Sequence, residues 1–245
     1  MVVINVVMNR IVYLSIIVLF SVTANLGFSE TQIDAARRLL PFSDVEIESI
    51  AASESSLDLA KTYGSKLEVR CFPDNLDVCL AHANYDAHLL FDKSFLETDV
   101  LELVERHTST GEARVDGTRY LGFYLRALSL LGAEIRGFRQ GISLHYMFVV
   151  LQNGAAIEVS GRTPMEYGLL IDVGGGRVTI DCASLNETVC LGFLQRGARV
   201  LLSDFDVENA KLWITTYPGQ VTIRGDGVSL TDLEILAGLG ARIRL

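Results

Sequence analysis

The segment His-Ala-Asn-Tyr-Asp-Ala-His at residues 82–88 places two imidazoles and a carboxylate within one short stretch. His82, Asp86 and His88 share parity, so on a strand they face one way. Three such groups converging would suit a transition metal or zinc. A centre of that kind would make the chain a secreted hydrolase or metal-binding enzyme. The plainer reading is a solvated strand or hairpin face. An internal repeat sets Phe193, Gly197 and Arg199 against these three residues, so a metal site here would belong to one copy alone.

Other candidates are weaker in kind. Ser143 and His145 share a face in GISLH, but no third partner and no second glycine of a nucleophile elbow accompany them. The glycines of DVGGGR (172–177) sit between two apparent strands, not between a strand and a helix as a phosphate cradle requires. Arg224-Gly225-Asp226 is an RGD tripeptide, the signature of a host-directed adhesive factor, yet Gly-Asp-Gly is also ordinary turn chemistry. Asn186-Glu187-Thr188 fits a glycosylation acceptor in a eukaryotic secretory pathway. Asp74 and Asp77 could offer oxygens to calcium, but Leu185 and Thr188 replace them in the second copy. No catalytic residue and no cofactor follow from these patterns.

The four cysteines form two pairs of identical spacing, CFPDNLDVC (71–79) and CASLNETVC (182–190). Seven intervening residues are loose for zinc, whose sites usually close over two to four. In an oxidising compartment an even number of thiols pairs. The expectation is therefore two local disulfides, Cys71 with Cys79 and Cys182 with Cys190.

The N-terminus points to that compartment. Arg10 precedes an apolar run from Ile11 to Val22, followed by small-residue exits at Ala24 and Ser29. This is the layout of a signal peptide, 1–24 or to 29, and the run is short for a membrane span. The formal net charge of −9 disfavours nucleic acid as a partner.

The elements that must hold these groups come in two copies. LEVRCFPDNLDVCLAHANYDAHLL (67–90) aligns with VTIDCASLNETVCLGFLQRGARVL (178–201). GEARVDGTRYLGFYLRALSLLGAEIR (111–136) aligns with GQVTIRGDGVSLTDLEILAGLGARIR (219–244). Modules of 38–137 and 148–245 follow. In the second, FVVLQ and AAIEVSG read as strands about Asn153-Gly154, YGLLIDV and RVTIDC as strands about the glycine cluster, VCLGFL and ARVLLSD as strands about Gln195-Arg196-Gly197, and KLWITTY and QVTIRG as strands about Pro218-Gly219. Leucines at 230, 233, 236 and 239 mark a helix behind Ser229, with a counterpart at about 119–131. The fold class expected is α+β: two tandem copies of a mostly antiparallel β module, each with one amphipathic helix near its end. The terminal strand–loop–helix–strand piece resembles, in pattern, the short α+β domains at the periplasmic N-termini of secretins and TonB-dependent receptors; the likeness transfers no residues.

Two modules with open strand edges suit strand addition to another protein. The expected function is an exported, non-enzymatic binding or assembly protein of the cell envelope, periplasmic or extracellular. Its partner would be another envelope or secreted protein, with membrane contact only through an uncleaved N-terminal segment. The alternative is the enzyme built on His82, Asp86 and His88.

Overall fold

A computed structural model describes residues 32–107, 113–138 and 141–245, the side chains of 47–51 excepted. The segment read as a signal peptide lies outside them. The described chain alternates strand and helix throughout. A first helix, α1 (32–39), leads into β1 (Val45–Ala51), α2 (Glu54–Tyr63), β2 (Leu67–Cys71), α3 (Leu76–Ala83) and β3 (His88–Phe91). Next come α4 (Glu97–His107), β4 (Ala113–Asp116), α5 (Gly122–Leu130), β5 (Glu134–Arg136) and α6 (Leu144–Gln152). The second half runs β6 (Ile157–Val159), α7 (Pro164–Gly174), β7 (Val178–Asp181) and α8 (Glu187–Gln195). It ends with β8 (Arg199–Leu202), α9 (Val207–Thr216), β9 (Val221–Arg224), α10 (Leu230–Gly238) and β10 (Arg242–Arg244).

Each strand pairs in parallel with its predecessor and its successor, and β10 pairs with β1, so the ten strands close into one barrel. Val45 lies beside both Leu67 and Ile243, and the Leu245 amide donates to the Glu46 carbonyl at 2.8 Å across the closure. Parallel neighbours require a crossover, and one helix between each pair of strands supplies it. Strands begin 21 to 25 residues apart, which leaves room for little else.

The expected antiparallel modules are therefore corrected. Segments 38–137 and 148–245 hold β1–β5 and β6–β10, and neither has a sheet of its own. The two cysteine segments occupy the turns after β2 and β7. The aligned C-terminal pieces are β4–α5–β5 and β9–α10–β10, units of parallel strands, so the resemblance to envelope α+β domains does not extend to their arrangement. Four expected strands are helices: FVVLQ ends α6, YGLLIDV lies in α7, VCLGFL lies in α8, and KLWITTY forms the end of α9 and its cap. Asn153-Gly154 is no hairpin turn. Asn153 caps α6, and Gly154 takes a left-handed φ of 94°, the usual device for stopping a helix before a strand.

Alternation along the strands sorts the side chains into two layers. Val69, Phe91, Val115, Ile135, Ile180, Val200 and Ile223 face outward and are buried under the helices. The alternate positions face the lumen, and most of them are charged. An eight-stranded barrel is just wide enough for its side chains to fill. Ten strands open it further, and long Glu and Arg side chains take the space.

Candidate functional site

Two zones of the lumen differ in how well their polar groups are satisfied. In the first, Arg136 from β5 reaches three carboxylates. Its Nη1 donates to Glu68 at 2.6 Å, its Nη2 to Glu46 at 2.9 Å and its Nε to Glu134 at 3.3 Å. Arg244 from β10 donates from Nε to Glu46 at 2.7 Å and grips Glu158 with both Nη atoms at 2.9 and 2.7 Å. Arg114 from β4 bonds Glu68 and, at 3.2 Å, Glu134. Seven side chains from six strands thus form one network. Burial alone would push the Glu46 carboxyl up, but Arg136, Arg244 and Arg114 together hold it far below the usual range. Burial is likewise outweighed at Glu134, by Arg136 and Arg114, and its pKa falls. Arg136 is raised well above its ordinary value: Glu46, Glu68 and Glu134 overcome the opposing effect of burial. Such a network fixes which strands face each other across the lumen.

The pH dependence of stability follows. A depressed carboxyl pKa contributes stability that is fully present above the ordinary value of 4.5 and is lost as pH falls through the folded value. His82 is also depressed, by burial, from its ordinary 6.5, so the fold favours the neutral ring and loses stability as pH drops below that value. His107 shifts the same way, through burial and then Arg106. The unfolding free energy should be level above about pH 7, decline gently below 6.5 and fall steeply below 4.5. Denaturation of the wild type and His82→Gln across that range checks it. Full stability of the wild type down to pH 4 would contradict the network's role.

The second zone lies at the carboxyl-terminal rim, where the strands of α/β barrels deliver their catalytic groups. On one side, Arg70 donates to Asp92 at 2.9 Å and to Asp116 at 2.8 Å. Asp116 is held by the amide and hydroxyl of Thr118 at 3.1 and 2.5 Å, and Asp92 by the Ser94 amide at 2.8 Å. These groups are satisfied. On the opposite side, one step beyond the pairing of Leu202 with Ile223, Ser203, the residue after β8, and Arg224, the last of β9, have lumenal parity. Ser203 Oγ and Arg224 Nε are buried without any hydrogen-bond partner in the protein. Arg224 Nη2 stands 3.7 Å from Asp181 Oδ2, an ion pair without hydrogen-bond contact, while the other oxygen of Asp181 accepts from the Ala183 amide at 3.0 Å. Beside this rim a cavity of about 260 Å³ opens between the turns after β7 and β8, with Leu185, Leu202, Phe205 and Trp213 in its wall.

The residues singled out in the sequence land apart. His82 is wholly buried on α3, where Nδ1 donates to the Val78 carbonyl at 2.8 Å and Nε2 lies 2.9 Å from Ser56 Oγ. Asp86 sits in the following turn at φ 62°, and His88 faces the lumen at the amino-terminal mouth. Asp86 and His88 line one cavity there, and His82 does not join them. Among the described residues no cluster of three or more His, Cys, Asp or Glu could hold a metal ion. Cys71 is bonded to Cys79 and Cys182 to Cys190, with Cα separations of 5.6 and 6.2 Å. Each bond ties the end of a strand to the next helix, not two strands of a hairpin. Asn186 is the N-cap of α8, accepting from the Val189 amide at 2.9 Å, and Asn75 accepts from the Phe72 amide at 2.7 Å. Ser143 is the N-cap residue of α6 and His145 is exposed in its first turn. Asp74 and Asp77 lie in the short turn and helix after β2. In the RGD tripeptide Arg224 is half-buried, its Nε enclosed in the barrel mouth, while Asp226 is exposed in the turn after β9. Sequence reading passed over Ser203 and Asp181 and saw Arg224 only as part of that tripeptide. Their signal was the polar parity of short strands.

No family model matches the chain, and no curated protein matches it. Among solved structures it is similar to one described as "Native KDPGal structure", at 14% identity over 80% of this chain and 91% of that chain, with a TM-score of 0.43. It is similar to the YdjI aldolase from Escherichia coli K12 at 11% identity over 86% of this chain and 77% of that one, TM-score 0.42. Tryptophan synthase from M. tuberculosis matches at 12% identity over 85% and 95%, TM-score 0.40. Likeness at this level speaks to neither substrate nor chemistry.

The expected non-enzymatic binding or assembly role is corrected all the same. It rested on paired modules with open strand edges, and a closed barrel has no edge to offer.

Proposed function

We propose that the protein is an exported enzyme that acts on a small anionic substrate at the carboxyl-terminal rim of its barrel. The observation that carries this reading is the pair of unpartnered buried donors, Arg224 Nε at the end of β9 and Ser203 Oγ just after β8, which the register of the two strands sets at one level. An unsatisfied buried polar group costs about 1–3 kcal/mol. A carboxylate or phosphate oxygen would satisfy both donors, and the guanidinium fork suits either anion. Asp181 stands 3.7 Å from the same guanidinium, which makes it the group to exchange a proton with the bound molecule. The neighbouring cavity offers the rest of the molecule both apolar contacts, from Leu185, Phe205 and Trp213, and the carboxylates of Glu187, Asp204 and Asp206. Export is supported by the two disulfides, which persist in oxidising compartments.

Calorimetric titration with inorganic phosphate and with succinate tests the reading. One of the two should bind the wild type saturably, and Arg224→Gln should weaken it at least ~10-fold, the loss expected from a charge-assisted hydrogen bond. Ser203→Ala should weaken it less. Asp181→Asn should keep the anion and lose turnover in a screen of small phosphate esters and carboxylates. Equal affinity in the wild type and Arg224→Gln, or no binding of either anion, overturns the assignment.

A further inference from the structure

Helices α5, α6 and α7 lie side by side on the outside of the barrel. Gly122 of α5 sits so close beneath the Tyr146 ring of α6 that a Cβ there would stand 2.5 Å from ring carbons. Arg162, just before α7, donates to the Ile142 carbonyl at the start of α6 at 2.7 Å. Their outward surfaces carry Leu121, Phe123 and Leu130, then Tyr146, then Met165, Leu169 and Val173, all exposed. The last three fall at steps of four, a continuous stripe along the outer face of α7. Phe123 is 57% and Met165 77% exposed, values unusual for such side chains. Charge is correspondingly scarce. Helix α6, LHYMFVVLQ, has no acidic residue, lysine or arginine. Glu166 is engaged in the cap of α7 and Asp172 is paired with Arg196 at 2.5 Å. Elsewhere around the barrel helices such as α4, ETDVLELVERH, are richly charged.

We infer that this three-helix face is the contact between two copies of the chain, related by a two-fold axis. At ~200 Å² for a large side chain, the seven exposed residues present on the order of 700 Å² of apolar surface. A standard interface takes ~800 Å² from each partner, and patches of this size on a lone protein mark an interaction site. Aromatic and methionine side chains with few charges are the composition of an interface core. A self-complementary apolar patch closes on itself, which limits the assembly to a dimer. A lipid surface fits the face less well, because helices that lie on membranes carry a fringe of Lys and Arg. Here Arg126 and His145 are the exposed basic residues on the three helices, too few for such a fringe, and the chain as a whole is strongly acidic.

Sedimentation equilibrium of the full mature chain tests the inference. The wild type should be a dimer at micromolar concentration. Phe123→Glu and Met165→Glu combined should weaken the dimer by ~100-fold or more, as loss of central apolar anchors does. Both positions are exposed, so far-UV dichroism of the variant should be unchanged. A wild type that stays monomeric at ~100 µM, where even a weak specific dimer would form, overturns the inference. So does a double variant that dimerises as the wild type does. Binding of the monomeric wild type to phosphatidylcholine–phosphatidylglycerol vesicles, lost in the variant, would assign the face to membrane instead.

Discussion

Arg136→Met should destabilise the barrel by about 3–5 kcal/mol, the cost of removing one partner from a buried ion pair. Arg136 is 7% exposed and hydrogen-bonds Glu46, Glu68 and Glu134 together. Without it four lumenal glutamates share Arg114 and Arg244. Glu46 keeps Arg244 but loses the two-pronged grip of Arg136, and Glu68 keeps Arg114 but loses the donor to its other oxygen. Methionine fills similar volume, so the loss reads charge and hydrogen bonding, not a cavity. Two companion measurements separate the network from simple packing. The double variant Arg136→Met with Glu46→Gln should recover part of the loss, because one uncompensated carboxylate is removed. The gap between variant and wild type should also narrow as pH falls below 4.5, where the stranded glutamates protonate more readily than the paired ones. Chemical denaturation gives all three quantities. A loss below about 1 kcal/mol would show that the lumen tolerates the bare glutamates, which is the surface-pair regime and not the buried one.

That network also shows where sequence reading succeeds and where it stops. In VTID the alternation of Val178 and Ile180 with Thr179 and Asp181 correctly indicates a strand with two unlike faces. An antiparallel module, the fold class expected from the sequence, would turn the polar face to solvent. The same alternation arises when the second face is a charged lumen, and one strand cannot distinguish the two. The helices were harder. α6, α7 and α8 are 9 to 11 residues long, with apolar residues on the outer surface as well as the inner. An apolar run of that length has little helical period to detect, and the glycine after it mimics a hairpin. α10 was legible because Ser229 caps it and Gly240, at φ 100°, stops it around well-spaced leucines. The 111-residue correspondence hid the shorter step beneath it. Five strand–helix units of 21 to 25 residues make up each aligned half, so Cys71 and Cys182 fall at equivalent strand ends. We propose that a five-unit ancestor was duplicated to close the ring. The donor pair was illegible for a different reason: Ser203 and Arg224 meet only through the register of β8 and β9.

Gly64→Ala should be the most damaging conservative substitution in the described chain, with a loss of about 3 kcal/mol or more. Local preference argues the opposite. Gly64 has an ordinary right-handed helical backbone, φ −42° and ψ −56°, at the end of α2. Alanine at such a position normally stabilises by about 1 kcal/mol. The deciding factor is space. A Cβ on Gly64 would lie 1.4 Å from the Tyr85 carbonyl oxygen and 2.6 Å from its carbon. Both are backbone atoms, so no rotamer change relieves the clash. The turn after α3 is itself constrained, by the Tyr85 amide donating to the His82 carbonyl at 3.0 Å and by Asp86 at φ 62°. Moving it would disturb His82 and its contact with Ser56 on α2. The two helices would have to separate by ~2 Å to restore van der Waals contact, more than a close-packed interior absorbs. Gly192 provides the control, since it lies within α8 and a Cβ there meets nothing within 4 Å. Gly192→Ala should raise stability by up to about 1 kcal/mol. Thermal and urea unfolding of the two variants should therefore move in opposite directions. If Gly64→Ala also stabilises, the close approach of Gly64 to Tyr85 is not a feature of the folded protein.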